Sequence, residues 1–176
     1  NYLNKLNKIF FITLTIISIN FNCESFASSS ELDKAKKQID NLMFDLFEYV
    51  KANKILKKEN KNKSILIIKK YLNLDFMAKA TSGKYWKNAN PNQRETYKEF
   101  LISKIIDSVD LHLKALENIS FKHTNSQKRG KKLIYVNGFI ENKRKKVVKI
   151  KWKLFSKDNS ILDLEVEKIS LIQSQK

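Results

Sequence analysis

The carboxylates whose spacing could do acid–base work are Asp163, Glu165 and Glu167, alternating along one segment near the C-terminus. Alternation on a strand brings such groups to one face, where a general acid and base could cooperate. The preceding segment carries Lys149, Lys151 and Lys153 with the same alternation. Two complementary rows of that kind form a ladder of ion pairs, and the carboxylates are assigned to it. His112 and His123 are the only histidines and fall on different predicted elements, with no carboxylate at metal-ligand spacing. Neither a metal centre nor a nucleophile–base pair is read from them. Gly-rich phosphate loops and Gly-x-Ser-x-Gly turns do not occur. The sequence thus carries no catalytic set, no metal site and no cofactor motif. It does carry Tyr85, Trp86, Tyr97, Phe100 and Trp152, more large aromatics than a small helix-on-sheet core needs. Both a packed core and an apolar cavity between long helices and a concave sheet accommodate them.

The elements that must position these residues divide into a helical half and a strand half. From Glu31 to about Lys58, apolar residues recur every three or four positions through Leu32, Ala35, Ile39, Leu42, Met43, Leu46, Phe47, Val50 and Ile55. That period is an amphipathic helix, with Ser30 as N-cap and Asp33 at the capping-box position. Asn60 to Lys63 is a polar break. Ser64 caps a short helix through Ile65, Ile68 and Leu72; Asp75 caps another holding Phe76, Met77 and Ala80, closed by Gly83. Asn90, Pro91 and Gln93 open a second long helix through Tyr97, Phe100, Leu101, Ile105, Val109, Leu113 and Leu116, ending near Asn118.

Beyond it the period shortens to two, giving strands over 119–124, 133–140, 147–155 and 161–171. The last two predict their own register: Lys153 opposite Asp163, Lys151 opposite Glu165 and Lys149 opposite Glu167. Leu154, Trp152 and Ile150 then meet Leu162, Leu164 and Val166 on the other face. Each such cross-strand pair contributes about 0.2–1 kcal/mol, and a one-residue slip would set lysine against leucine throughout. The connecting loop is Lys157-Asp158-Asn159, with Asn159 in the left-handed region.

With 35 basic and 18 acidic side chains in 176 residues, the formal net charge is +17. Only Arg94, Arg129 and Arg144 are arginine, the remaining cations being lysine. A nucleic-acid reader leans on arginine for bidentate contacts, and the ladder neutralises one lysine row, so no nucleic-acid partner is assigned. Lys5 and Lys8 precede an apolar run over 9–19, followed by a polar stretch ending Ser25-Phe26-Ala27. This is the layout of a secretory signal peptide over residues 1–27, cut after Ala27. An uncleaved anchor is the alternative, although the run is short of the roughly 20 residues of a membrane span. The only cysteine, Cys23, lies in that leader, so the mature chain over 28–176 has no disulfide.

Asp75, Phe76, Ala78, Gly83, Trp86, Ala89, Gln93, Arg94, Tyr97 and Phe100 form a spaced pattern. It resembles that of the MlaC (toluene-tolerance) family. The closing run from Leu162-Asp163 through Glu167, Ser170 and Leu171 resembles the family's last motif, with Lys168 where the family has glycine. The chain stops soon after Leu171, where relatives continue into a further helix, so the domain is read as shortened at its C-terminus or as a reduced relative. The resemblance implies an α+β, NTF2-like or MlaC-like fold, with N-terminal helices on one face of a twisted four-stranded antiparallel sheet. It implies a non-enzymatic periplasmic carrier, with phospholipid as cargo. Its partners would be an inner-membrane ABC transporter complex with an MCE-domain protein and an outer-membrane lipoprotein–porin complex. The lining candidates are Phe76, Tyr85, Trp86, Phe100, Val109, Leu113, Val136, Ile150, Trp152 and Leu164. A small enzyme, a periplasmic structural adaptor with a filled core and a basic nucleic-acid module remain the alternatives.

Overall fold

The computed structural model describes residues 23–56, 61–114, 120–141 and 147–174, with side chains described over 29–52, 61–107, 120–141 and 147–174. The apolar run of the leader lies outside the described residues. Helix α1 (Cys23–Leu56) starts upstream of the expected Ser30 cap, which is a correction. No glycine or proline separates Cys23 from Glu31, so nothing stops the helix there. Its stripe buries Ala35, Ile39, Leu42, Met43 and Tyr49. Helix α2 (Lys61–Tyr71) absorbs most of the expected polar break. Ser64 is a first-turn residue whose hydroxyl donates to the Lys61 carbonyl at 2.8 Å, rather than a cap.

Helix α3 (Leu74–Ser82) is capped by Asn73, whose side chain accepts from the Phe76 N–H at 3.0 Å; Asp75 stands in the first turn, where the helix dipole favours an anion. The helix ends at Gly83, whose φ of 58° lies in the left-handed region. After the short helix α4 (Tyr85–Asn88), helix α5 (Pro91–Lys114) opens with the expected reciprocal box. The Asn90 N–H donates to Gln93 Oε1 and the Gln93 N–H to Asn90 Oδ1, each at 2.9 Å.

The sheet is an antiparallel meander of β1 (Ser120–Arg129), β2 (Leu133–Glu141), β3 (Val147–Phe155), β4 (Ile161–Val166) and β5 (Ile169–Ser170), followed by the short helix α6 (Leu171–Ser174). Five strands replace the four expected. The segment over 161–171 is broken by a two-residue turn at Glu167 and Lys168, with φ of 48° and 71°, so that Val166 pairs with Ile169. Positive φ at both central residues is the type I′ hairpin geometry.

Between β3 and β4 the observed partners include Ile150 and Val166, Lys151 and Glu165, Trp152 and Leu164, and Lys153 and Asp163, as the alternation predicts. A bulge then pairs Leu154 with Ile161 instead of Leu162. At the other end, Lys149 meets Glu167 through its backbone N–H, at 2.6 Å from Oε1, not through its ammonium. In the connecting loop Asn159 takes the left-handed conformation, with φ 57°. Strand β1 runs past its expected end by way of a bulge around Thr124. Gly138 of β2 lets the Phe121 ring lie over the sheet: a Cβ there would stand 2.5 Å from the Lys122 carbonyl oxygen and 2.6 Å from the ring.

Two apolar cores result. In the first, α1 together with Ile67 and Tyr71 of α2 covers the inner sheet face at Ile134, Val136, Ile140, Ile150, Trp152, Leu154 and Ile161. The second joins Ile68 of α2, Met77 and Ala78 of α3, Leu101, Ile102, Ile105 and Ile106 of α5, and Ile172 of α6. Leu72 packs against both. Among the described residues α5 therefore packs chiefly on α2 and α3 and does not roof the sheet beside α1. The Asn73 N–H donates to the Ile161 carbonyl at 2.8 Å and ties the α2–α3 link to β4.

Candidate functional site

Helices α3, α4 and α5 meet around an open cleft of about 520 Å³ lined by Asp75, Phe76, Lys79, Trp86, Pro91, Arg94, Glu95 and Lys98. Its charges stand four residues apart on each wall, Asp75 with Lys79 on α3 and Arg94 with Lys98 on α5. That spacing puts each pair on one helix face. Lys98 bridges the walls, at 3.0 Å from Asp75 and 2.7 Å from Glu95. Hydrogen bonds donated to Glu95 and then to Asp75 hold its ammonium above the usual lysine range. The Arg94 guanidinium stacks over the Trp86 ring at 5.1 Å and donates to the Trp86 carbonyl at 3.1 Å, while its Nε is buried without a partner. Behind the cleft the Tyr97 hydroxyl donates to Thr81 Oγ1 at 3.1 Å, and Thr81 donates to the Met77 carbonyl at 2.8 Å. These contacts lock α5 onto α3.

The lining candidates fall into separate places. Phe76 and Trp86 share the cleft. Tyr85, next to it, is 71% exposed, and Phe100 is 53% exposed, 6.2 Å from the Tyr97 ring. Val136, Ile150 and Trp152 are buried in the first core, and half-buried Leu164 packs against them. The side chains of Val109 and Leu113 lie outside the described residues. The described candidates are thus divided between the cleft, its surroundings and the first core, where α1 and α2 pack on the inner sheet face. One polar group stands out there: the Trp152 indole N–H is buried without an acceptor. Sequence reasoning missed the charged lining of the cleft; the four-residue spacing was its signal, but the crossing of α3 and α5 was not visible.

The half-buried His123 has its Nε2 2.9 Å from Ser126 Oγ. Among the described residues no group of three or more His, Cys, Asp or Glu is placed to hold a metal, and no helix is long and apolar enough to cross a membrane.

A family model described as MlaC protein matches residues 40–176. The chain belongs to the MlaC family. Its fold is similar to that of a phospholipid-binding protein from Ralstonia solanacearum solved in complex with a phospholipid. The TM-score is 0.69 at 14% identity, over 80% of this chain and 82% of that one. No curated protein matches the chain. The MlaC pattern noted in the sequence maps onto one corner of the fold. Asp75, Phe76, Trp86 and Arg94 line the cleft. Ala78 and Tyr97 belong to the core behind it. Gly83 and Gln93 shape the helix ends that frame it.

Proposed function

We propose that this MlaC-family chain is a non-enzymatic phospholipid carrier of the periplasm. It moves lipid between an inner-membrane ABC transporter complex with an MCE-domain protein and an outer-membrane lipoprotein–porin complex. A leader over residues 1–27 would send it there. The observation that carries this reading is the family match over residues 40–176, supported by a fold shared with a protein that holds a phospholipid. The physical driving force is burial: each CH₂ taken from water stabilises the complex by about 0.8 kcal/mol.

The charged cleft does not suit acyl chains. The apolar seam between the two cores does, where Ile67 and Tyr71 face one way and Ile68 the other. Tails placed in that seam would lie beside Leu72, which packs against both cores. The second reading is a structural adaptor with a filled core, favoured by the complete burial of Val136 and Leu154.

Native mass spectrometry of protein purified from a bacterial periplasm separates the two. Co-purified phospholipid, with transfer between vesicles, supports the carrier. A ligand-free mass with no transfer leaves the adaptor.

A further inference from the structure

We infer that the end of the sheet built from the β1–β2 and β3–β4 turns is a docking surface for an anionic bilayer. Gly130, with φ 63°, turns the chain out of β1, and Lys131 and Lys132 follow it. The Ser156 N–H donates to the Lys132 carbonyl at 2.9 Å and the Ser156 hydroxyl to the Lys131 carbonyl at 3.2 Å. The two turns are thereby joined into one rim, which places Lys157 beside Lys131 and Lys132.

Arg129, Lys131, Lys132 and Lys157 are all exposed, and none has a carboxylate partner among the described residues. The acids nearby are already engaged: Glu31 pairs with Lys128, and Asp158 accepts the Ser160 N–H at 2.9 Å within its own turn. Several lysines elsewhere are paired, as Lys36 is with Asp40, Lys70 with Asp45, Lys122 with Glu141 and Lys151 with Glu165, and ones unpaired among the described residues, such as Lys34, Lys61, Lys69 and Lys87, are spread over three helices. The rim therefore gathers four cations on two joined turns, and the Asp158 carboxylate, which feels the Lys157 charge beside it, offsets only part of them.

Its composition selects the partner. None of the exposed large apolar side chains sits on the rim. Protein–protein interface cores are poor in lysine and rely on apolar and aromatic anchors. A headgroup layer presents many mobile phosphates, which compact ammonium groups meet without a fixed geometry. Arg129 adds one oriented contact: its guanidinium lies over the Tyr135 ring at 5.8 Å, leaving edge N–H groups for a phosphate oxygen pair.

The inference deepens the carrier reading and rests on it for the reason a bilayer is met, but its test stands apart. Full chain is floated with vesicles of phosphatidylcholine alone, or mixed with phosphatidylglycerol, at low and high salt. The variant carries Arg129→Gln, Lys131→Gln, Lys132→Gln and Lys157→Gln. A control removes equal charge elsewhere through Lys34→Gln, Lys61→Gln, Lys69→Gln and Lys87→Gln. Each cation near an anionic surface is worth about fivefold in partitioning, so the rim variant should lose at least about 25-fold, the share of two of its four cations, while the control loses far less. High salt should abolish the difference. Equal losses in both variants, or no preference of the wild-type chain for phosphatidylglycerol, overturn the inference. Co-purified lipid, measured by native mass spectrometry, should be unchanged in the rim variant. Its absence from the wild-type chain would sink the carrier reading while leaving the vesicle result standing.

Discussion

Asp163→Ala is expected to loosen the whole C-terminal edge of the sheet. The Asp163 side chain is buried, at 5% exposure. Its Oδ2 accepts from the Lys153 ammonium at 2.9 Å and the Ser170 hydroxyl at 2.8 Å. Its Oδ1 accepts from the N–H groups of Leu164 at 2.9 Å and Ile172 at 3.2 Å. One carboxylate thus binds β3, β5 and the first turn of α6. Alanine leaves the Ile172 amide buried without an acceptor and Lys153 with only Glu165, at 3.5 Å. Breaking a buried pair costs about 3–5 kcal/mol, and the remaining Glu165 contact places this case near the lower end, at about 3 kcal/mol. Asp163→Asn keeps an oxygen for the two backbone donors and loses the charge, so a smaller loss of about 1.5 kcal/mol is expected. Urea denaturation at unchanged m-value reads both numbers from the midpoints. A loss below about 1 kcal/mol for alanine, or asparagine costing as much as alanine, would refute the hub.

Lys168→Gly should stabilise the fold by about 1 kcal/mol, because a non-glycine residue pays roughly that to sit in the left-handed region; a lowered melting temperature would contradict the turn geometry. Gly138→Ala should cost about 1–3 kcal/mol by pressing a methyl group against the Lys122 carbonyl and the Phe121 ring, and Phe121→Ala in the same background should relieve part of it in a double-mutant cycle. Hydrogen bonds from Lys151 hold Glu165 below its usual 4.5, and bonds from Lys70 and then Tyr71 hold Asp45 below 3.8. Folding therefore weakens their proton binding, so the stabilisation is complete above those values and fades as pH falls through the folded-state pKa values. Asp45 holds Lys70 above 10.5, and Glu95 does the same for Lys98, so their contribution is complete below 10.5 and fades at higher pH; denaturation midpoints measured across pH should show a plateau falling at both ends.

The β3–β4 register was legible because two alternating rows of opposite charge admit one alignment. The bulge beside it was not: Ile161 and Leu162 are both apolar, so pairing Leu154 with either leaves the hydrophobic pattern intact. Two adjacent polar residues, Glu167 and Lys168, interrupt the period of two and were the available sign of the fifth strand. A lysine in the left-handed region conceals that sign, since such turns favour glycine and asparagine. The start of α1 was illegible for the opposite reason, a good cap at Ser30 with nothing upstream to end the helix. Of the site, the aromatics Phe76 and Trp86 could be named from type and spacing. That charges share their cleft could not, because Lys98 reaches Asp75 only through the packing of α3 against α5. The inner-face residues were correctly placed on one face of the sheet. Whether that face is filled depends on Met43 and Tyr49 of α1 and Tyr71 of α2, which periodicity cannot orient.

The division into two cores bears directly on how a carrier of this build would load. Successive residues of α2 serve different cores, and Leu72 is a side chain that packs on both. The backbone is pinned at that point, through the Leu72–Ile161 bridge and the Asn73 side-chain N–H donated to Ser160 Oγ at 3.2 Å. Parting the two cores exposes apolar surface, and exposure at about 25 cal/mol per Å² sets the cost. Acyl chains entering the seam would cover what parting exposes, so on the proposed reading the loaded state regains the burial that the empty state already has. The tether at Asn73 ties the α3–α5 unit to β4, and Lys98, between Asp75 and Glu95, clasps α5 to α3. A single-core packing of the same helices would have to break its interior to admit a ligand; here the division between the cores already marks where it would open.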